Sequence, residues 1–289
     1  MLDLRRLRLL SELSRCGTIA EVATVVGYTP SAVSQSLAQL ERETGVALLE
    51  RDGRRVRLTP AAHGLVAATD RVLAELDAAE AELAAEHEAV RGELVIGAFP
   101  SAAAGLVVPA LAALGERHPD LASTVREHEP EDGIPLLRAG ALDLLVSESY
   151  DEVPSAPVGG LEAHRLLSEP LLLVTAGDAP AELGAHREAA WIAGLAGTQY
   201  AAALETACAA AGFAPRIAHR ADDARLIQEL VAAGLGIALL PALAAVPAPG
   251  VAYREVTPSP PRRHVWALVR RGAARRPALA AALDALREV

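Results

Sequence analysis

The sequence predicts an α/β protein with an N-terminal winged helix-turn-helix, a long linker helix and a larger α/β body. Three observations support this class: two short helices joined by a tight turn in residues 18–44, an arginine-rich hairpin at residues 51–57, and strands that alternate with helices from residue 92 onward. The 289 residues are enough for about two domains, and 52% hydrophobic with 22% charged residues is a globular composition.

The helix pair carries start and stop signals at both helices. Thr18 and Glu21 have capping-box spacing, and Gly27 supplies the left-handed conformation that ends a helix. Thr29 then acts as N-cap, with Pro30 at the first helical position. An earlier helix, with its apolar face at Leu4, Leu7, Leu10 and Leu13, completes a three-helix core.

The second helix of the pair has one apolar and one polar face. Its buried stripe is predicted at Val33, Leu37 and Leu40. The opposite face near its N-terminus is small or polar and free of acidic side chains: Ser31, Ser34, Gln35 and Ala38. Such a helix suits insertion into the major groove of DNA. The alternative is a helical hairpin whose polar face is only solvated.

The hairpin follows directly, with Asp52-Gly53 as its turn. Four arginines lie on and beside this hairpin, as is typical of a wing that contacts DNA phosphates: Arg51, Arg54, Arg55 and Arg57. Residues 1–60 carry nine arginines against seven acidic residues, while the remaining chain carries eighteen against thirty. This modest charge asymmetry fits a DNA-binding module attached to an acidic body. Because the hairpin follows the helix pair directly, we expect residues 1–58 to bind double-stranded DNA; the alternative is a solvated basic hairpin.

Residues 59–91 are predicted to form a linker helix that begins at Thr59-Pro60 and runs to about Val90. A heptad-like apolar seam follows spacings of 7, 4, 3 and 4 residues: Leu65, Val72, Leu76, Ala79 and Leu83. This seam favours dimerisation, which would present two recognition helices to two half-sites. The alternative is a helix packed within its own chain.

The body alternates strands and helices. Strands are expected at residues 92–99, 123–129, 142–148, 162–167, 170–176, 191–192, 215–221, 236–241, 251–256 and 264–269, with helices after Ser101 and around residues 134–139, 200–211, 223–233 and from 277. This alternation predicts mostly parallel sheets, in which ligands bind at the carboxyl ends of strands beside helix N-termini.

Patterns of catalytic or metal chemistry are not found in the sequence. Gly234-Leu235-Gly236 follows a helix and precedes a strand, the reverse of a dinucleotide loop. The eight histidines have no metal-ligand spacing, and Cys16 and Cys208 read as buried, reduced thiols. We therefore expect no catalytic residue, no metal and no cofactor. Neither a signal peptide nor a membrane span is expected, which predicts a cytoplasmic protein.

Together these features resemble the LysR-type transcriptional regulators over essentially the whole chain. The residues that carry the resemblance are Ala20-Glu21-Val22-Ala23, Thr29 through Glu41, Gly45 through Leu49, Arg51, Arg55 through Thr59, Gly92-Glu93-Leu94, Ile96-Gly97 and residues 231–241. Two departures are Pro30-Ser31, where the family often has Gln-Pro, and Ala62 in place of a glycine. The first departure shifts base reading toward Gln35.

The resemblance implies a two-lobed effector domain at residues 92–289, similar to periplasmic binding proteins. Lobe I would comprise residues 92–164 and 266–289, and lobe II residues 165–265. The implied partners are an inverted-repeat operator, a small-molecule effector, further copies of the chain as a dimer or tetramer, and RNA polymerase. An α/β enzyme or ligand carrier with a helical appendix is the competing class. A nucleoid-type DNA binder would leave about 200 residues of α/β body without a role.

The resemblance also assigns residues to two sites. The DNA contacts would come from Thr29, Ser31, Ser34 and Gln35, with the four arginines of the hairpin. The effector would contact Pro100, Ser101 and Ala102, whose amides begin a helix and suit an anionic ligand. Thr198 and Gln199 would face them from lobe II, with Glu148 and Asp222 as additions. The alternative for Ser101 is a plain N-cap.

Overall fold

The computed structural model describes residues 2–52, 55–85, 90–154 and 159–289, with the side chains of residues 51, 52, 55, 84 and 85 left undescribed. The head contains helices α1 (Leu4–Cys16), α2 (Ile19–Val26) and α3 (Pro30–Thr44) and the antiparallel strands β1 (Leu49–Asp52) and β2 (Arg55–Leu58). The predicted caps are confirmed, since the Thr18 and Thr29 hydroxyls accept the amides of Glu21 and Ala32. The predicted turn at Asp52-Gly53 reaches outside the described residues.

The core of the head lies where the apolar stripes of its three helices meet. Fully buried side chains come from all three helices: Leu10, Leu13, Val22, Val33, Leu37 and Leu40. The Arg6 side chain of α1 forms an ion pair with Glu43 at the end of α3. This contact ties the first helix of the head to the last.

The linker helix α4 (Pro60–Ala85) has one face packed within its own chain and one face exposed. On the packed face, Ala81 and Asp77 are buried, and Gly272 of the body lies so close that a Cβ there would be 2.5 Å from the Ala74 carbonyl oxygen. On the opposite face, Val72, Leu76 and Leu83 are exposed by 47%, 42% and 71%. Packing of α4 within its own chain is thus confirmed for one face, while pairing of two chains on the exposed face stays a prediction. The described helix ends at Ala85, residues 86–89 lie outside the described ones, and Val90 is not helical.

Lobe I is built on parallel strands β3 (Gly92–Ala98), β4 (Leu121–Glu127) and β5 (Leu144–Tyr150), in the order β5-β3-β4. After β3 the chain forms one helical rod from α5 (Pro100–Ala102), a π-helical segment (Ala103–Val107) and α6 (Val108–Arg117). Helices α7 (Pro130–Ala139) and α10 (Pro277–Glu288) complete the lobe. Its core lies between β3, the rod and α10.

Lobe II contains the parallel pair β7 (Ala190–Ala193) and β8 (Arg216–Arg220), helices α8 (Gln199–Ala210) and α9 (Ala224–Ala232), and strands β9 (Ala238–Pro241) and β10 (Ala252–Glu255). Trp191 is fully buried in its core with Leu171, Leu204 and Cys208. Short 3-10 turns lie at Leu183–His186, Ala242–Ala244 and Ala273–Arg275.

Two strands join the lobes: β6 (Leu161–Thr175) leaves lobe I and β11 (Arg262–Arg270) returns to it. Strand β6 pairs with β11 over residues 161–170 and with β9 and β10 over residues 171–175. The partners thus change several residues after the lobe boundary expected at residue 165. The two strands predicted at 162–167 and 170–176 form one, because Pro170, which lacks an amide hydrogen, lies where the partners change.

The expectation of mostly parallel sheets is wrong for the central part of the body. Strand β11 runs antiparallel to both β5 and β6, and β6 runs antiparallel to β9 and β10. The reason is topological, since one strand carries the chain out of lobe I and the other brings it back. Within the described residues, no helix is both long and apolar enough to cross a membrane.

Candidate functional site: the DNA-binding head and the interlobe cleft

The N-terminal turn of α3 presents the predicted DNA-reading side chains to solvent. Thr29, Ser31, Ser34 and Gln35 are all exposed, while Val33 on the opposite face is fully buried. The Thr29 hydroxyl also accepts the Ala32 amide at 3.2 Å, so this side chain fixes the start of the helix. Next to it stands Tyr28, 51% exposed, which sequence reasoning did not single out because an isolated aromatic residue in a turn forms no pattern.

The wing places Arg57 on the exposed side of β2. Val56 and Leu58, its neighbours in the strand, pack against the core of the head, which leaves Arg57 facing outward. Arg54 lies outside the described residues, and so do the side chains of Arg51 and Arg55. In the register of the hairpin, Arg57 stands opposite Glu50.

A cavity of about 960 Å³ lies between the two lobes. Six of the seven predicted effector residues line it: Pro100, Ser101, Glu148, Thr198, Gln199 and Asp222. Ala102 is the exception, because its side chain is fully buried in the core of lobe I. The position of α5 at the carboxyl end of β3 explains why its first residues reach the cleft while its third points inward.

The lobe I side of the cleft is organised around Arg263, whose side chain is only 3% exposed. Its guanidinium contacts the Glu148 carboxylate at 3.0 Å and the Glu169 carboxylate at 2.6 Å, and donates to the Ser101 hydroxyl at 3.2 Å. The Phe99 ring lies beneath it, 5.0 Å from the guanidinium carbon. The N-cap alternative for Ser101 is wrong, because Phe99 occupies that position and the Ser101 hydroxyl serves Arg263.

Glu148 is held by two donors. Its carboxylate accepts from Arg263 and, at 2.9 Å, from the hydroxyl of Tyr150. Burial raises the pKa of Glu148, with the Arg263 charge acting in the opposite direction. The second partner of Arg263, Glu169, also accepts the Leu243 amide at 2.5 Å, which connects the cluster to lobe II.

Sequence reasoning missed Arg263, although a signal was present. Arg263, Val265, Ala267 and Val269 share the buried face of β11, so an arginine at the first of these positions must lie beside carboxylates. The strand predicted from the sequence begins at residue 264, so Arg263 falls outside the alternation of buried and exposed residues that would identify it.

The lobe II wall is fixed by short polar contacts. The Thr198 hydroxyl accepts the Ala201 amide at 3.1 Å and so caps α8, while Asp222 accepts the Leu195 amide at 2.9 Å. Gly194 lies behind them, where a Cβ would come within 2.9 Å of both side chains. The Gln199 amide donates to the Pro154 carbonyl at 3.3 Å, and its buried oxygen has no hydrogen-bond partner in the described part of the chain.

Acidic side chains from both lobes surround the cleft. Lobe I contributes Glu129, Glu131 and Asp132, and lobe II contributes Asp222, Asp223 and Glu229. The Glu129 side chain is exposed at the mouth of the cleft, and partial desolvation, followed by the charges of Glu148, Asp222 and other nearby carboxylates, raises its pKa to about 7. Sequence reasoning missed Glu129 because the two carboxylates with the largest charge effects on it, Glu148 and Asp222, come from distant parts of the chain.

Comparison with known protein families matches the two parts of the chain separately. The description "Bacterial regulatory helix-turn-helix protein, lysR family" matches residues 4–63, and "LysR substrate binding domain" matches residues 87–289. The chain belongs to the LysR family. It is therefore a DNA-binding transcriptional regulator with an effector-binding domain, and the predicted fold class is confirmed.

Individual relatives are similar to this chain over nearly its full length. The DNA-binding transcriptional dual regulator OxyR of Escherichia coli is 30% identical over 94% of this chain and 90% of its own length. Among solved structures, full-length OxyR from Pseudomonas aeruginosa with a cysteine-to-aspartate substitution matches with a TM-score of 0.66 and 22% identity, covering 99% of this chain and 95% of that one. The LysR family regulator CbnR matches with a TM-score of 0.58 and 23% identity over 99% of this chain and all of that one.

Proposed function

We propose that this LysR-type regulator binds an inverted-repeat operator as a homo-oligomer, with two α3 helices in successive major grooves. The observation that carries the proposal is the exposed polar N-terminus of α3, with Ser31, Ser34 and Gln35 on a helix whose other face is buried. Gln35 is the side chain suited to bidentate base contacts, while Arg57 on β2 suits phosphate contacts.

The exposed apolar side of α4 supports the pairing of two chains. Val72, Leu76 and Leu83 lie on the side of the helix that faces away from the body. A second α4 packed on this seam would fix the distance between two heads and thus the spacing of the half-sites. Both a dimer and a tetramer are compatible with such a seam.

The cleft between the lobes is the proposed effector site. It is lined by both lobes. Within the described residues, strands β6 and β11 connect the lobes, and the Arg263 cluster lies on them, with Glu169 on β6 and Arg263 on β11. A ligand held by both walls would favour one angle between the lobes. Through the contact of Gly272 with α4, that angle would reach the linker helix and the heads. The ligand must bind the two arrangements with different affinity for this coupling to occur.

Thiol oxidation is a less suitable trigger, although several relatives are named hydrogen peroxide-inducible genes activators. A peroxide-reactive thiol needs a low pKa and access. Burial raises the pKa of Cys208 to about 12, and burial also raises the pKa of Cys16. The two residues also pack in different clusters, Cys16 in the head and Cys208 in lobe II.

We assign no catalytic role to the cleft. Its hydroxyls serve structural partners, with Ser101 accepting from Arg263 and Thr198 capping α8. In the described parts of the chain, no three metal-ligating side chains lie close enough to hold an ion. As a DNA-binding regulator, the protein is proposed to act in the cytoplasm. Contact with RNA polymerase rests on the family resemblance alone.

Selection of genomic DNA fragments by the full-length protein tests this function. We expect recovered fragments to share an inverted repeat, with half-sites one or more helical turns apart. The salt concentration must be stated, because phosphate contacts dominate affinity. Recovery of fragments without a shared repeat at moderate salt would contradict the proposal.

A further inference from the structure

The charge of the interlobe cleft is strongly negative. Seven carboxylates line it, against the two guanidinium groups of Arg225 and Arg263, which is a formal excess of five negative charges. The acidic groups lie on both lobes, so they face one another across the space where a ligand binds.

The positive charge on the lobe I side of the cleft is already neutralised. Arg263 is shared between Glu148 and Glu169, which together carry one more formal charge than it does. Arg225 is an exposed residue in the first turn of α9. An anionic ligand, which the amides at Pro100 and Ser101 would suit, would therefore also meet an ion-paired arginine and several carboxylates, and these carboxylates disfavour its binding.

Glu129 of lobe I and Asp222 of lobe II both line the cleft with exposed side chains, so both carboxylates are accessible to a ligand there. The charges of Glu148 and Asp222 both disfavour the ionised form of Glu129. Among the described residues, the charges that act most strongly on Glu129 are all negative, and a bound cation would add a positive one.

The size and walls of the cleft indicate an organic cation rather than a metal ion. A volume of about 960 Å³ is far larger than an ion, and the described residues offer no group of three metal ligands. The walls include the apolar surfaces of Tyr150, Tyr200, Leu240 and Leu243. Such walls accommodate a carbon skeleton, while the carboxylates accommodate a charged nitrogen group.

We propose that the effector is an organic cation, an amine or guanidinium compound with an apolar body, whose charged group binds between Glu129 of lobe I and Asp222 of lobe II. The apolar body lies against Tyr200 and Leu243. This assignment rests on the proposed function of the cleft as effector site and names its ligand class. Because a cation between the two acidic walls replaces repulsion with attraction, its binding favours closure of the lobes.

Calorimetric titration of the full-length protein with matched probes tests the ligand class. The probes are 2-phenylethylamine and agmatine as cations, 3-phenylpropionate as an anion and 2-phenylethanol as a neutral compound. The variants are Glu129→Gln and Asp222→Asn, which remove charge but keep similar shape. Glu116→Gln is the matched control, because Glu116 is exposed on α6 and does not line the cleft.

We expect at least one amine to bind with a Kd below about 1 mM, and each cleft variant to weaken it about tenfold. The control variant should bind the amine as tightly as the wild type does. The affinity for the neutral probe should be the same in the wild type and in the cleft variants. Preference for 3-phenylpropionate over the amines, or no amine binding at about 1 mM, would overturn the assignment. Either failure is distinguishable from failure of the proposed function, which the DNA selection measures without any effector.

Discussion

Arg263 and Glu148 form a buried ion pair, 3.0 Å apart, at the junction of the two lobes. The side chains are 3% and 9% exposed, and Glu169 completes the cluster from the strand that carries the chain into lobe II. Charges buried this deeply are retained only when each has partners, so the three side chains form one structural unit.

Replacing Arg263 with methionine should lower the free energy of unfolding by about 3–5 kcal/mol, because two buried carboxylates would lose their cation. Denaturant unfolding measures the effect. The control is Arg117→Met, since Arg117 forms an exposed pair with Glu288 at 2.8 Å, and its loss should cost less than about 1 kcal/mol. Equal costs for the two variants would show that the Arg263 cluster contributes no more than a surface pair.

The affinity for a cationic ligand should rise between pH 6 and pH 8. Glu129 has a pKa of about 7, raised by partial desolvation and by the charges of Glu148, Asp222, Glu131 and Glu127, so it gains its negative charge within this window. Amines remain protonated throughout, since their pKa lies near 10. Titration of 2-phenylethylamine into the wild type and Glu129→Gln over this range measures the effect, and the variant should lose most of the rise. If the affinity rose by the same amount in both proteins, a group other than Glu129 would be responsible for the pH dependence.

The same pKa predicts the sign of a stability change. Between pH 4.5 and about 7 the folded protein holds a proton on Glu129 that the unfolded chain releases, so this group lowers the free energy of unfolding as the pH rises. Compared with the wild type, Glu129→Gln should therefore lose less stability over that window. Thermal unfolding without ligand measures the difference, and identical pH profiles for the two proteins would contradict it.

Gln35→Ala should weaken operator binding about tenfold and relax the preference for the operator over unrelated DNA, because it removes a base-reading amide worth about 1–3 kcal/mol. Gln39→Ala is the matched control one turn later on α3, where Arg42 and Glu43 already hold the amide. Mobility-shift titrations at fixed salt measure both. If Gln39→Ala lost affinity and Gln35→Ala did not, Gln35 would not be the base-reading residue of α3.

Leu76→Glu should shift the protein toward the monomer, because it places a charge within the exposed apolar seam of α4. Burial of each Leu76 in an interface is worth about 2 kcal/mol, and a symmetric pair would lose it twice. Sedimentation over a range of concentrations measures the change. The neighbouring Glu75→Gln lies outside the seam and should leave the mass unchanged.

The head could be predicted from the sequence almost residue by residue. Its helix starts depend on local signals, and the Thr18 and Thr29 caps form hydrogen bonds within three residues. The apolar spacing of α3 likewise places Val33 and Leu37 in the core. Local chemistry is enough here because a small helical core imposes few distant constraints.

The charge of the cleft could not be predicted in this way. Arg263 and Glu148 are separated by 115 residues, and Glu129 and Asp222 by 93. Only the folded sheet brings these side chains together. The start of a helix at Pro100 indicates amides that suit an anion, but this local signal carries no information about the carboxylates across the cleft.

The continuity of β6 and the two faces of α4 also depend on tertiary structure. Pro170 signals a break in a strand, yet it is tolerated where the strand changes partners. The apolar positions of α4 predict an apolar seam on one face of the helix. They do not predict that Gly272, about 200 residues later in the same chain, packs against the other face.

Footprinting on a selected operator, with and without an amine that binds the full-length protein, measures whether the cleft controls DNA binding. We expect a protected inverted repeat whose length, or whose affinity for the protein, changes when the amine is added. That change should require a higher amine concentration in Glu129→Gln but not in Glu116→Gln. A footprint that is identical with and without the bound amine would contradict control of DNA binding through the cleft.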